Sequence, residues 1–173
     1  MFSNTTGYYN AALGVNSLRS NTAGINNTAL GYSALYANTN GAYNTATGFR
    51  SLYSNTTAGD NSAFGYASLY YTTTGSYNAA FGSGSLYNNT TGSQNTAIGF
   101  QSLLANTTGV QNTASGYRAM YSNTTGNLNT GTGWEALRSN TTGAHNAAHG
   151  ITALNFNTSG NNNTSGNNTS GNS

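Results

Sequence analysis

Apolar and polar positions in this chain recur neither every second residue nor at helical spacing, but every seventeen residues. With Asn4 as position one, the copies start at Asn4, Asn21, Asn38, Asn55, Thr72, Asn89, Asn106, Asn123, Asn140 and Asn157. That gives nine full copies of roughly N-T-T-G-x-x-N-T-A-L-G-Y-x-S-L-Y-S and a truncated tenth, with no insertion or deletion between them. Position two is threonine and position seven asparagine in all ten copies, and position eleven is glycine in the nine full copies. In those nine copies position nine is alanine except Gly131, and position fifteen leucine except Met120. Position thirteen runs through Asn16, Ser33, Arg50, Ala67, Gly84, Gln101, Arg118, Glu135 and Thr152, so it reads as a column facing water.

Seventeen residues are too few for a helix pair, since helical repeats run above ~30. The fixed glycines, with Asn and Thr between them, also oppose helix and mark turns. The piece N-T-A-L-G-Y between them has strand length and strand composition. The pattern therefore predicts a strand at positions seven to twelve, a shorter one around fourteen to seventeen, and a main corner at Asn-Thr-Thr-Gly. A strict period at this length predicts an all-β parallel solenoid or β-roll of about nine 17-residue coils, residues 1–156. Each residue would then sit over its counterpart one coil away, about 4.7–4.9 Å distant, and nine coils would make a rod roughly 40 Å long. Like residues then stack on like. Asn10, Asn27, Asn44, Asn61, Asn78, Asn95, Asn112, Asn129 and Asn146 are expected to form a side-chain amide ladder. Column uniformity places positions seven, nine and eleven inward.

From Asn157 the apolar columns vanish while the corner residues persist. Residues 157–173, an Asn/Thr/Ser/Gly segment, read as a flexible polar tail or a cap on the last coil. Column twelve is mostly aromatic, and column sixteen carries Tyr36, Tyr53, Tyr70, Tyr87 and Tyr121. Those tyrosines are the candidate interface, because large apolar faces mark association sites. A homo-oligomer, trimer or filament, is the expected assembly.

Charge and cysteine change the picture mainly by exclusion. Charged residues make up 3% of the chain, with four arginines, no lysine, and Asp60 and Glu135 as the acids. Such a chain offers no basic patch for nucleic acid. No apolar run approaches the ~20 residues of a membrane-spanning helix, and residues 1–20 lack a charged start followed by an apolar core, so no signal peptide is read there. Without cysteine there is no disulfide framework or thiolate site.

The segments Gly24–Leu35 and Gly92–Leu103, G-x-x-N-T-A-L/I-G-Y/F-x-S/A-L, resemble the head repeat of trimeric autotransporter adhesins and the repeat arrays of some bacteriophage tail fibres. Asn95-Thr96-Ala97-Ile98-Gly99 is the nearest copy, and the resemblance spans about residues 4–156. It implies a left-handed parallel β-roll, three chains side by side, an attachment role, and positions eight and ten inside the roll. Family coils are commonly a few residues shorter, with Val where this chain has Thr or Ala before the alanine.

Chemistry finds little footing. Asp60 and Glu135 lie more than four coils apart and form no carboxylate pair. His145 and His149 occupy positions six and ten of one coil and read as isolated surface substitutions. No catalytic, metal-binding or cofactor-binding residue is assigned. Asn4, Asn55 and Asn106 begin glycosylation acceptor sequences that arise from the corner composition itself. The expected role is a structural repeat segment of an extracellular, cell-surface or virion fibre, adhesive or length-setting, with a cell-surface receptor or glycan as the candidate partner. The alternatives are an ice-binding solenoid presenting threonines of columns two and three, and a filament built by end-to-end coil stacking.

Overall fold

The computed structural model describes residues 3–166 and is a parallel β-solenoid. One three-residue strand per coil, from β1 (Ala11–Leu13) and β2 (Thr28–Leu30) to β9 (Ala147–His149) and β10 (Thr164–Gly166), builds a ten-stranded sheet in chain order. Each strand pairs only with its neighbours in sequence, column on column: Thr28 with Thr45, Ala29 with Ala46, Leu30 with Thr47. No helix forms among the described residues, and none is long and apolar enough to cross a membrane.

The strand is shorter than the sequence predicts, covering columns eight to ten, and columns fourteen to seventeen form no strand. The backbone explains both. Glycine in column eleven holds φ between 121° and 140°, and columns thirteen and fifteen hold φ near 50° in every coil, Arg50 at 53° and Leu52 at 49° for example. Left-handed residues cannot continue an extended chain. The coil nevertheless bonds to its neighbours all the way round. Thr96 N donates to Asn112 O at 2.8 Å, Gly99 N to Phe81 O at 2.7 Å, Gln101 N to Ser83 O at 3.0 Å and Leu103 N to Ala119 O at 3.0 Å.

The core is a narrow seam. On one wall stand the alanines of column nine, and against them the leucines of column fifteen, both fully buried through the middle coils. The reversal at column fifteen turns two consecutive side chains inward, so column fourteen is buried too and accepts only Ser or Ala. Its serines are satisfied by their own coil: Ser85 Oγ donates to Gly82 O at 2.9 Å. Two departures from the pattern meet here. A Cβ at Gly131 would stand 2.8 Å from Cγ of Met120, so the bulkier methionine in column fifteen fits beside the missing methyl in column nine.

Columns seven and nine point inward, as column uniformity indicates, and columns eight and ten point outward, opposite to what the resemblance implies. Column eleven carries no side chain to place on either face. Column thirteen does not simply face water. Its long side chains are half-buried, and Ser33 and Ala67 are buried, because the position lies between the rings of columns twelve and sixteen. Arg50 shows the arrangement: its guanidinium carbon sits 5.2 Å from the Phe49 ring and 5.5 Å from the Tyr53 ring. The polar segment from Asn157, read as tail or cap, carries the coil on to Gly166, where β10 pairs with β9. Residues 167–173 lie outside the described residues.

Candidate functional site: stacked ladders

The asparagines of column seven stand one above another inside the corner before each strand. Asn95 is fully buried and shows the complete set of contacts. Its backbone N–H donates to Asn78 Oδ1 at 3.0 Å, and its Nδ2 donates to Asn78 Oδ1 at 3.2 Å and to Gly109 O at 2.8 Å. Its own Oδ1 receives Asn112 N and Nδ2 at 2.9 and 3.2 Å. The same set runs through Asn10, Asn27, Asn44, Asn61, Asn78, Asn112, Asn129 and Asn146 with small variations. An asparagine supplies one acceptor and two donors, and a backbone N–H with no strand partner needs one of them. No other side chain of this length satisfies all three demands.

A second asparagine ladder occupies column one, which the sequence reading assigned only to the corner. Asn38 Nδ2 donates to Asn21 Oδ1 at 2.7 Å and to Gly41 O at 3.0 Å, and Asn55, Asn106, Asn123, Asn140 and Asn157 repeat the pattern. Its signal was available: asparagine fills nine of the ten copies, Thr72 being the exception. This ladder explains the glycine of column four. A Cβ at Gly41 would run into Asn38 Oδ1, Ala58 O and Asn55 Nδ2 at once. It also closes the glycosylation option at Asn55 and Asn106, whose amides are buried and engaged. Asn4 is exposed, with its Nδ2 held by Gly7 O at 2.8 Å.

The corner amides turn onto the next coil. Thr22, Ala23 and Gly24 all point their N–H groups at Thr39 O, at 3.0, 3.1 and 3.1 Å, and Thr22 Oγ1 reaches the same oxygen at 3.2 Å. A glycine-rich corner with free amides can cradle an anion, but these converge on a carbonyl of the next coil. The column-two hydroxyls are drawn into the ladder in the same way from Thr5 to Thr141. Column three is exposed, but Ala23, Asn40 and Ser159 interrupt its threonines.

The column-sixteen tyrosines form a half-buried stack. Ring centroids are 5.0 Å apart for Tyr36 and Tyr53, 5.1 Å for Tyr53 and Tyr70, and 5.2 Å for Tyr70 and Tyr87, with planes within 15°. Leu104 separates Tyr87 from Tyr121 in the column, and Arg118 and Arg138 lie 5.4 and 6.0 Å from the Tyr121 ring. Tyr71 packs edge-on against Tyr70 and Tyr87. Burial, and after it the neighbouring Tyr71, pushes the Tyr87 phenol above its ordinary range. Column twelve stacks likewise, through Tyr32, Phe49 and Tyr66 and again through Phe100, Tyr117 and Trp134. Rings stacked along the axis cover one another's faces and show water their edges.

The charged groups form one ion pair among the described residues. Arg138 Nε lies 3.3 Å from Glu135 Oε1, and His149 Nδ1 lies 2.6 Å from Thr132 Oγ1. Among the described residues no group of three His, Cys, Asp or Glu side chains is placed to hold a metal ion. No protein-family model matches this chain, no curated protein matches it, and no solved structure matches it.

Proposed function

We propose that this chain is a structural repeat segment of an extracellular or virion fibre, a rod that sets length and spacing and does no catalysis. The observation that supports the reading is the pair of buried asparagine ladders, which repeat from coil to coil with Thr72 as the one substitution, in column one between Asn21 and Asn157. Their regularity suits a role in which the number of coils matters and no single coil is special. An enzyme concentrates its exceptions at one place. Here the exceptions are scattered, and two of them are packing compensations. Attachment, with a cell-surface receptor or glycan as partner, belongs to the same reading through the resemblance to adhesin head repeats and tail-fibre arrays. The ice-binding alternative is weakened by the inward engagement of the column-two hydroxyls.

The test is to double the array in its native host by adding nine coils. Fibres decorated by antibodies against this chain should lengthen by about 40 Å at the inter-strand spacing. Decorated fibres of unchanged length, or antibody signal on no fibre, would sink the reading. Thermal hysteresis at micromolar protein would favour the ice binder instead.

A further inference from the structure

Nineteen large hydrophobic side chains are exposed among the described residues, and twelve of them stand in columns ten and twelve. In column ten they include Leu30, Phe64, Phe81 and Ile98, and in column twelve Tyr66 and Trp134. The two columns flank the glycine of column eleven, which has no side chain to divide them. Together they make one largely apolar strip along the rod, broken by Thr47, Ser83, Ser115, Thr132 and His149. All four arginines and Glu135 lie in columns thirteen and sixteen, and Asp60 in column six, so no Asp, Glu, Lys or Arg interrupts the strip. It has an apolar centre with guanidinium groups of Arg50 and Arg118 along one border, the anatomy of a protein interface.

We infer that this strip is the seat of a second copy of the same chain, packed side by side with the two rod axes aligned. The inference rests on the structural-rod reading. Area and periodicity support it. The seven aromatic rings among the twelve bring ~150–250 Å² each, and all twelve side chains are 36–73% exposed. A dozen of them therefore offer on the order of 1,000 Å², against the ~800 Å² that each partner contributes to a stable complex. The largest apolar patch on a monomer is usually ~300–600 Å². A second copy also has the same axial repeat. Its ridges of rings meet grooves at matching intervals along the whole strip, whereas a partner of another period falls out of step within a few coils. The half-buried tyrosines of column sixteen have less surface to give, so the association face lies one corner away from them.

Threonine already occupies column ten at Thr47 and Thr132, so the triple variant Phe64→Thr, Phe81→Thr, Ile98→Thr keeps residues the coil accepts. In sedimentation of the whole chain at tens of micromolar, the wild type should associate and the triple variant should do so at least tenfold more weakly. A column-sixteen variant, Tyr53→Asn with Tyr70→Asn, should associate within about threefold of wild type. Equal association of the triple variant and wild type, or a stronger loss in the column-sixteen variant, overturns the inference. A second probe is independent of the triple variant's folding. Maleimide labelling of Thr47→Cys should slow several-fold as concentration rises, while Thr108→Cys on column three should not respond. The opposite order overturns the inference. Circular dichroism and small-angle scattering on the same samples report the rod itself. A β-rich rod that stays monomeric refutes the pairing and leaves the rod reading standing. A helical or collapsed chain refutes both.

Discussion

Ala58 and Thr72 break two otherwise regular columns, and they break them at the same joint, between the coils of β4 (Ser62–Phe64) and β5 (Ala79–Phe81). Elsewhere a Cβ in column four would strike the column-one Nδ2 of the next coil, as at Gly41 against Asn55. Thr72 has no amide nitrogen to strike, so one of the three clashes a column-four Cβ meets is absent at Ala58. The adjustment leaves a mark. Asn55 Oδ1 is buried with no hydrogen-bond partner, and Asn89 Nδ2 reaches Thr72 Oγ1 only at 3.4 Å. An unpaired buried acceptor costs about 1–3 kcal/mol. The double variant Ala58→Gly, Thr72→Asn should therefore stabilise by roughly that amount beyond the sum of the singles, since each alone leaves the other's misfit in place. Urea unfolding of the four proteins decides it, and additivity would refute the account. A parallel cycle at Met120→Leu and Gly131→Ala should also be favourable. Gly131→Ala alone should destabilise by about 1–3 kcal/mol through overpacking against Met120.

The coil as an element depends on a backbone that its residue types do not advertise. Columns six, thirteen and fifteen hold φ between 47° and 67°, and among them is a leucine that rarely adopts such values. Each such residue carries a cost of about 1–2 kcal/mol, offset by burial in column fifteen and by the bonds around the coil. The glycine of column eleven is needed twice over. At Gly99 φ is 124°, and a Cβ would strike the Gly116 carbonyl. Gly99→Ala should cost at least about 3 kcal/mol in thermal or urea unfolding, combining strain with the clash. Gly84→Asn in column thirteen should cost under about 1 kcal/mol. That position is left-handed, which asparagine tolerates, and its nearest neighbour is Cγ of the flexible Gln101 side chain at 3.4 Å. Similar losses at the two sites would show that the corner is not set by glycine.

These same dihedrals mark the limit of what the sequence could tell. The 17-residue period, the parallel stacking, the inward asparagine of column seven and the alanine–leucine seam were all legible, because a stacked column must satisfy one environment repeatedly and so shows itself as uniformity. The strand limits were not. Thr-Ala-Leu-Gly-Tyr reads as extended by composition, and nothing in columns thirteen to fifteen, Arg50-Ser51-Leu52 for example, announces two left-handed residues in three. Column thirteen misled for a related reason. Its variety, from Ala67 to Arg118, comes from a half-buried slot where short residues hide and long ones reach out between rings, not from plain exposure. The column-one ladder was hidden by its own corner, since Asn-Thr-Thr-Gly also satisfies the rules for an ordinary turn.

At the scale of the whole molecule every coil touches only its neighbours, so stability accumulates by coil and joint. Removing residues 89–105, one whole coil, joins Asn88 to Asn106 and preserves every column. That variant should keep its β-rich circular dichroism and melt within a few degrees of wild type. Removing residues 89–104 instead shifts every later residue by one column, placing Ala119, Ala136 and Ala153 where leucine belongs and moving every later column-seven asparagine out of its ladder. That variant should lose most of its cooperative transition. If both deletions melt alike, the strict register does not hold the rod together.

The bonds that join coils run along the rod, and this has a mechanical consequence. Under tension between its ends, each joint bears the whole load in series, so the rod yields where it is weakest. The unpaired Asn55 oxygen places that point between β4 and β5. Each coil that gives way releases seventeen residues of slack, about 50 Å of extended chain beyond the spacing it occupied. A fibre made this way lengthens in even steps under load instead of snapping, and its first step comes at a fixed place.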